Sequence, residues 1–410
     1  MASTAQTVTR EMEQAYEENG LEGCQRLIRE KLDEWQFMPM NIAVVGLSGA
    51  GKSSSINAFL GLTADDDGAA AVGCTENTGT TIITEYRHPD NNQLVFWDLP
   101  GVGTPSFPKD SYMQKIDADK YDFFLLVTSK RFLEINAWLA AQITKRNKGY
   151  FFIRTHMAID VANDRRAHPR VQRTEDELVA TIRADTEKRL RDLPTESPIK
   201  MEVFLIDNYE PDKYDFPDLE QKLIGNFPEL KCEALLLTLR STNKAMVDRK
   251  AECLRSRIWK AAVLSAGISV VPIPGTSFAA DVTILLHETK FYYQQFGLDT
   301  ESLRRLAQRT GVDYNELNSV VMQAFGVEVA TLSARSFFTF FSALGISLAA
   351  FGAESAAEEA VGLLLPVIGK ALAASMSYVT TYWLLGQILD KMHAVAIEVY
   401  DKANAQHCAA

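Results

Sequence analysis

The sequence predicts an α/β sheet domain followed by an all-helical domain, and three observations carry that expectation. Between about residues 37 and 227, apolar runs alternate with polar, helix-like segments, the pattern of a mostly parallel sheet with helices on both faces. A glycine-rich loop joins the first of these runs to a helix. After Phe227 the strand candidates disappear, and Ala/Leu/Lys/Arg-rich segments carry helical periodicity. The implied organisation is a helical segment over 1–36, the sheet domain over 37–227 and a helical domain over 228–410.

In the first segment Leu21, Cys24, Leu27, Ile28, Leu32 and Trp35 recur at helical spacing. The sheet begins at Met38 to Val45, and Gln93 to Trp97, Asp122 to Thr128, Gly149 to Arg154 and Met201 to Ile206 read as buried strands. Thr174-Glu175-Asp176-Glu177 is a capping box opening a helix that runs to about Leu193. In the last domain Ala261 to Ala280, Ser336 to Ala353 and Ala371 to Leu389 are free of charged side chains for about a membrane-spanning length. Pro272 and Pro274 interrupt the first, and Ser, Thr, Gly and Ala dilute all three. Buried or membrane-inserting helical hairpins are therefore expected rather than stable spans.

A net charge of −11 argues against a general nucleic-acid binder. Five scattered cysteines (Cys24, Cys74, Cys232, Cys253, Cys408) lack metal-ligand spacing and read as reduced thiols. The polar N-terminus shows no secretory pattern, and Ala2 stands where myristoylation needs glycine. A cytoplasmic protein, peripherally associated with intracellular membranes, is the expectation.

The loop carries the chemistry. Strand residues Asn41 to Val45 run into Gly46-Leu47-Ser48-Gly49-Ala50-Gly51-Lys52-Ser53, which is G-x-x-x-x-G-K-S without a mismatch, and Ser54 follows on the helix. Glycines let the backbone wrap around phosphates, so its N–H groups and the helix N-terminus face the negative charge. Lys52 is assigned to the β/γ-phosphates and the Ser53 hydroxyl to Mg²⁺. About 45 residues on, a second strand ends in Asp98-Leu99-Pro100-Gly101. Its Asp98 carboxylate would hold Mg²⁺ through water, and its Gly101 N–H would meet a γ-phosphate oxygen. Between the two lies a threonine-rich stretch in which Thr75, Thr78, Thr80 and Thr81 are possible magnesium-side hydroxyls, Thr78 being favoured. Thr80 to Tyr86 also reads as an edge strand. Residue 102 is Val, not a Gln that orients water, so hydrolysis would need another group.

These residues resemble a known family. Gly46 to Ser53, Gly68-Ala69-Ala70, Arg87-His88-Pro89, Val95 to Gly103, Tyr121 to Phe124 and Tyr214 to Pro217 look like the interferon-inducible immunity-related GTPases. Lys290-Phe291-Tyr292, Phe296 to Asp299, Ser302 to Ala307, Leu365 to Gly369 and Tyr378 to Leu385 resemble the family's helical domain. The resemblance implies a Ras-like P-loop GTPase domain with a helical domain built from both termini. It implies GTP as substrate, GDP as product and Mg²⁺ as cofactor. It also implies dynamin-like self-assembly, as homodimer or hetero-oligomer through the nucleotide face, and action at intracellular or pathogen-containing membranes. A switch glutamate that assists catalysis across the dimer in the family is best matched by Glu76.

The pattern breaks at the base end. Guanine is ordinarily read by T/N-K-x-D, whose carboxylate accepts from the base N1–H and N2–H₂. Here the element is Thr155-His156-Met157-Ala158. Asp160 could swing in, or Asp207 of Ile206-Asp207-Asn208 could accept from the base, though near the O6 acceptor. Two functions follow from these residues: a dimer-activated GTPase with re-routed base recognition, or a hydrolysis-deficient scaffold that regulates related GTPases. An ATP-selective or base-unselective phosphate site is a third reading.

Overall fold

The computed structural model describes residues 2–73, 82–129, 134–170, 173–192, 202–227, 229–239, 244–269, 276–326, 329–333, 340 and 368–405. In chain order its main elements are α1 (Ala2–Leu32), β1 (Met40–Gly46), α2 (Lys52–Leu60), β2 (Thr84–His88), β3 (Asn91–Asp98) and β4 (Phe123–Thr128). Next come α3 (Glu134–Thr144), β5 (Gly149–Arg154), α4 (Met157–Ala167), α5 (Glu175–Asp192), β6 (Val203–Leu205), α6 (Phe216–Gly225) and α7 (Glu229–Thr238). Among the described residues of the remaining chain the main helices are α8 (Lys244–Ser269), α9 (Thr276–Gln295), α10 (Thr300–Thr310), α11 (Tyr314–Phe325) and α12 (Ile368–Ala405). They divide into two compact units, Trp35–Thr242 and Met1–Glu34 with Asn243–Ala410. The α7 helix falls in the first.

The first unit is built on a six-stranded sheet of order β2-β3-β1-β4-β5-β6. Only the edge strand β2 is antiparallel to its neighbour. The sequence expectation started the first strand at Met38, but pairing starts at Met40; Pro39 has no N–H to donate to a ladder. All six residues of β4 are buried, as a strand covered on both faces requires. One face packs Tyr112, Tyr121, Phe124, Leu126, Phe152 and Met157 into a common core. Elsewhere Phe59 of α2 stacks on Phe96 of β3 at 5.2 Å and meets Phe216 of α6 at 5.1 Å. The central position of β1, between β3 and β4, puts its C-terminal end at the crevice where doubly wound sheets hold ligands.

The capping box forms as read. The Glu177 N–H donates to Thr174 Oγ1 (3.2 Å), and the Thr174 N–H donates to Glu177 Oε2 (3.0 Å).

The second unit is all helix in its described residues. Along α12, Leu385, Leu389, Met392, Ala396, Val399 and Ala403 are buried at three- and four-residue spacing, the signature of a core-facing stripe. Its uncharged stretch is thus amphipathic by packing, since Val379, Tyr382 and Trp383 are exposed. Ion pairs Lys244–Asp401 and Arg255–Asp390, with a hydrogen bond between His393 Nε2 and Asp248 Oδ1, run along the antiparallel α8–α12 seam. The Ser336 to Ala353 stretch lies outside the described residues except for the buried Phe340. Among the described residues no helix is long and apolar enough to cross a membrane.

Candidate functional site

The glycines at the end of β1 answer steric demands. A Cβ on Gly46 would lie 2.2 Å from the Val127 carbonyl oxygen of β4, so a side chain would push the two strands apart. Gly51 has φ +88°, and its Cβ would sit 3.2 Å from both Thr155 Oγ1 and Asn208 Nδ2. Those two side chains hold the loop from the far side. Thr155 Oγ1 donates to the Ala50 carbonyl (2.9 Å), and Asn208 Nδ2 donates to the Gly51 carbonyl (3.2 Å). The Ser55 hydroxyl is 2.9 Å from both the Gly51 carbonyl and Asn208 Oδ1. With its carbonyls turned toward these anchors, the loop that includes Leu47, Ser48 and Gly49 is held in shape by side chains from elsewhere in the fold.

Lys52 is 5% exposed, and its Nζ donates to the Leu47 carbonyl at 3.2 Å. Burial lowers its pKa, while the Asp98 carboxylate works in the opposite direction. The charge is thus held in a partly dry site, where an anion would relieve its desolvation. Ser53 Oγ donates to Asp98 Oδ2 at 2.7 Å, and Asp98 is buried. A hydroxyl and a carboxylate side by side are the hard oxygen donors Mg²⁺ takes, together with waters and substrate phosphates. Among the described residues no group of three or more His, Cys, Asp or Glu could hold a metal by itself. The donor set therefore suits a cation that arrives with a polyphosphate.

The Asp98 turn is anchored from below. The Tyr112 hydroxyl, inside the core, donates to the Pro100 carbonyl at 2.8 Å, and burial pushes its pKa up. Gly101 lies against the loop: a Cβ there would be 3.4 Å from the Ser48 nitrogen. Val102 points into the core at 5% exposure, so it neither polarises water nor faces it. Glu76 and Thr78 lie outside the described residues.

At the base end the carboxylates already have partners. Asp160 Oδ2 accepts from Arg154 Nη2 at 2.7 Å. Asp207, 4% exposed, accepts from the Ala158 N–H through Oδ2 (3.0 Å) and from the Tyr209 N–H through Oδ1 (3.1 Å). His156, in the left-handed region with φ 65°, places Nδ1 2.7 Å from Thr155 Oγ1.

The structure thus gathers Gly46 to Ser54, Asp98, Gly101, Thr155, Asp207 and Asn208 around the ends of β1, β3, β5 and β6. It adds residues that sequence reasoning missed. Ser55 follows the recognised motif, and Tyr112 was one aromatic among many. Asn57 of α2 donates to the Ala70 carbonyl (2.9 Å) and accepts from the Ala70 N–H (2.6 Å). Only an unusual polar residue within the apolar run Ile56 to Leu60 signalled it.

A family model described as Interferon-inducible GTPase (IIGP) matches residues 5–331. Interferon-inducible GTPase 5 of Rattus norvegicus is 32% identical over 389 residues, covering 95% of this chain and 81% of its own length. Interferon-gamma-inducible GTPase 10 of Mus musculus is 35% identical over 296 residues, covering 72% and 69%. Among solved structures, NFeoB from S. thermophilus bound to GDP.AlF4- and K+ aligns with 74% of this chain and 98% of its own, at 15% identity and a TM-score of 0.29. The family match spans the phosphate loop, the Asp98 turn and the helices as far as Thr331, and the chain belongs to the interferon-inducible GTPase family.

Proposed function

We propose that this GTPase binds Mg²⁺ and GTP in the cradle of Gly46 to Ser54 and hydrolyses it with help from a second protein molecule. The observation that carries the reading is the buried Lys52 beside the Ser53–Asp98 pair. Ser53 and Asp98 would hold Mg²⁺, which would supply positive charge against the phosphates during transfer. Lys52 would neutralise phosphate oxygens, and the loop N–H groups with the α2 N-terminus would orient them. Gly101, which lies against the loop, would offer its N–H to a γ-phosphate oxygen. Because Val102 is turned into the core, no residue at that position orients the attacking water. We assign that task to a group brought by self-assembly through the nucleotide face, with Glu76 the candidate and Thr78 completing the magnesium side. The assembly is a homodimer or a hetero-oligomer with related GTPases.

The test is titration of the purified chain with GDP, GTP, ATP and XTP, then phosphate release at several protein concentrations. Lys52→Ala should weaken nucleotide binding by at least about thirtyfold, the loss of one buried charged partner costing on the order of 2–5 kcal/mol. Turnover per molecule should rise with concentration. Absence of binding at millimolar nucleotide, or unchanged affinity in Lys52→Ala, refutes the site.

Ala158 favours a second reading, a scaffold that keeps the phosphate half of the site and controls related GTPases by contact without efficient hydrolysis. Flat, very low turnover beside intact nucleotide binding would select it. We further propose peripheral attachment to intracellular membranes through residues 332–410. Liposome flotation of the full chain and of a chain ending at 331 checks this; equal flotation of both places the attachment elsewhere.

A further inference from the structure

The T/N-K-x-D element ends in Ala158, whose methyl group cannot read a guanine edge, yet a carboxylate has arrived at that residue from another strand. Asp207, at the end of β6, accepts the Ala158 N–H at 3.0 Å and that of Tyr209 at 3.1 Å. An ionised carboxylate has about four lone-pair directions. The two backbone bonds use one on each oxygen, which fixes the group's orientation and leaves two to accept from a ligand. The Met157 N–H also donates to the Ile206 carbonyl at 3.3 Å, so the start of α4 and the segment after β6 are joined a second time, one residue earlier in each. The other nearby candidate is committed elsewhere, since Asp160 is paired with Arg154 at 2.7 Å. Ile159 and Tyr209, which follow Ala158 and Asn208 directly, are large side chains more than half exposed, apolar surface that a planar base can cover.

We infer that the base-reading carboxylate has moved between loops, and that Asp207 gives this chain a preference for guanine over bases lacking the N1–H and N2–H₂ donor pair. The inference rests on the polyphosphate site proposed above and names the base it selects. It requires the carboxylate to accept from two donors at once. An exchange to Asn keeps an acceptor oxygen for the Ala158 N–H but replaces the other oxygen with a donor. That donor suits xanthine, which carries a carbonyl at C2.

The experiment measures dissociation constants of GDP, IDP, XDP and ADP for the full chain and for Asp207→Asn. The native chain should bind GDP at least about tenfold more tightly than XDP or ADP, the scale of charge-assisted hydrogen bonds. IDP, without the N2 amine, should fall between. Asp207→Asn should invert the GDP to XDP order. A double variant, Ala158→Asp with Asp207→Ser, should restore the GDP preference and keeps the test decisive if the single variant fails to fold. Equal affinity of the native chain for all four nucleotides overturns the relocated carboxylate while leaving the phosphate site standing. An unchanged GDP to XDP ratio in Asp207→Asn overturns it too, since a purely structural Asp207 would alter stability and not that ratio. No binding of any of the four defeats both proposals.

Discussion

Asn57 illustrates how a single side chain can set the shape of a loop it does not belong to. Its amide, buried in α2, satisfies both backbone groups of Ala70, and Ala70 is itself fully buried. Asn57→Ala would leave that N–H and carbonyl without their partner, at about 1–3 kcal/mol for each unsatisfied buried group. The denaturation midpoint of the variant should fall accordingly, and GTP affinity should drop with it, because Ala70 leads into the Thr-rich stretch whose Thr78 is proposed to complete the magnesium side. Lys52 shows the complementary case. Its charge is kept in a buried position where the Leu47 carbonyl and the Asp98 carboxylate help it, a cost in stability that the proposed phosphate binding would offset. At this scale the motif residues were legible because their roles follow from spacing along one stretch of chain. Asn208 was legible as a family position, but its grip on the Gly51 carbonyl, 157 positions away, was not.

Among the elements, the packing of α1 against α8 and α9 is where buried charge matters. Cys24, Ile28 and Leu32 form the buried face of α1, and Arg257 of α8 donates to the Leu32 carbonyl at 2.7 Å. Arg257 is 3% exposed and faces the fully buried Glu288 of α9. Beside them His287 Nε2 lies 3.5 Å from Asp33 Oδ1. Burial lowers the His287 pKa, with Arg257, Arg29 and Lys290 acting in the same direction and Asp33 against it. An unfolded histidine takes up its proton near pH 6.5, whereas the folded one resists until lower pH, so the unfolded state binds more protons in that window. Stability should therefore fall as pH drops below about 6.5. Asp33 shifts the opposite way, raised chiefly by burial, and its contribution belongs to a more acidic range. Thermal unfolding at about pH 7.5 and about pH 6 should show a larger loss for the native chain than for His287→Gln; equal losses would assign the pH dependence to other groups. None of this network was readable beforehand, since helical periodicity marks which face is apolar but not which charged residue on a neighbouring helix is buried with it.

Taken whole, the chain contains two units, each with its own apolar core, and the nucleotide residues all belong to Trp35–Thr242. A ligand that binds only the folded form stabilises it by about 2.7 kcal/mol at one hundred times its dissociation constant. GDP should accordingly raise the calorimetric transition that reports that unit. A transition unmoved by saturating GDP would contradict the placement of the site. The α/β order, the phosphate loop, the Asp98 turn and the capping box at Thr174 were determined by sequence alone, because each depends on residues close together in the chain. Apolar runs of strand length also placed five of the six strands, and the Thr-rich stretch foreshadowed the sixth as an edge. Tertiary structure alone decided the partners of the loop: that Thr155 and Asn208 hold its carbonyls, that Val102 turns into the core, and that Asp207 meets Ala158 across 49 positions. The physical reason is that a hydrogen bond between distant loops depends on the register and twist of the strands carrying them, which emerge only when the whole sheet is packed.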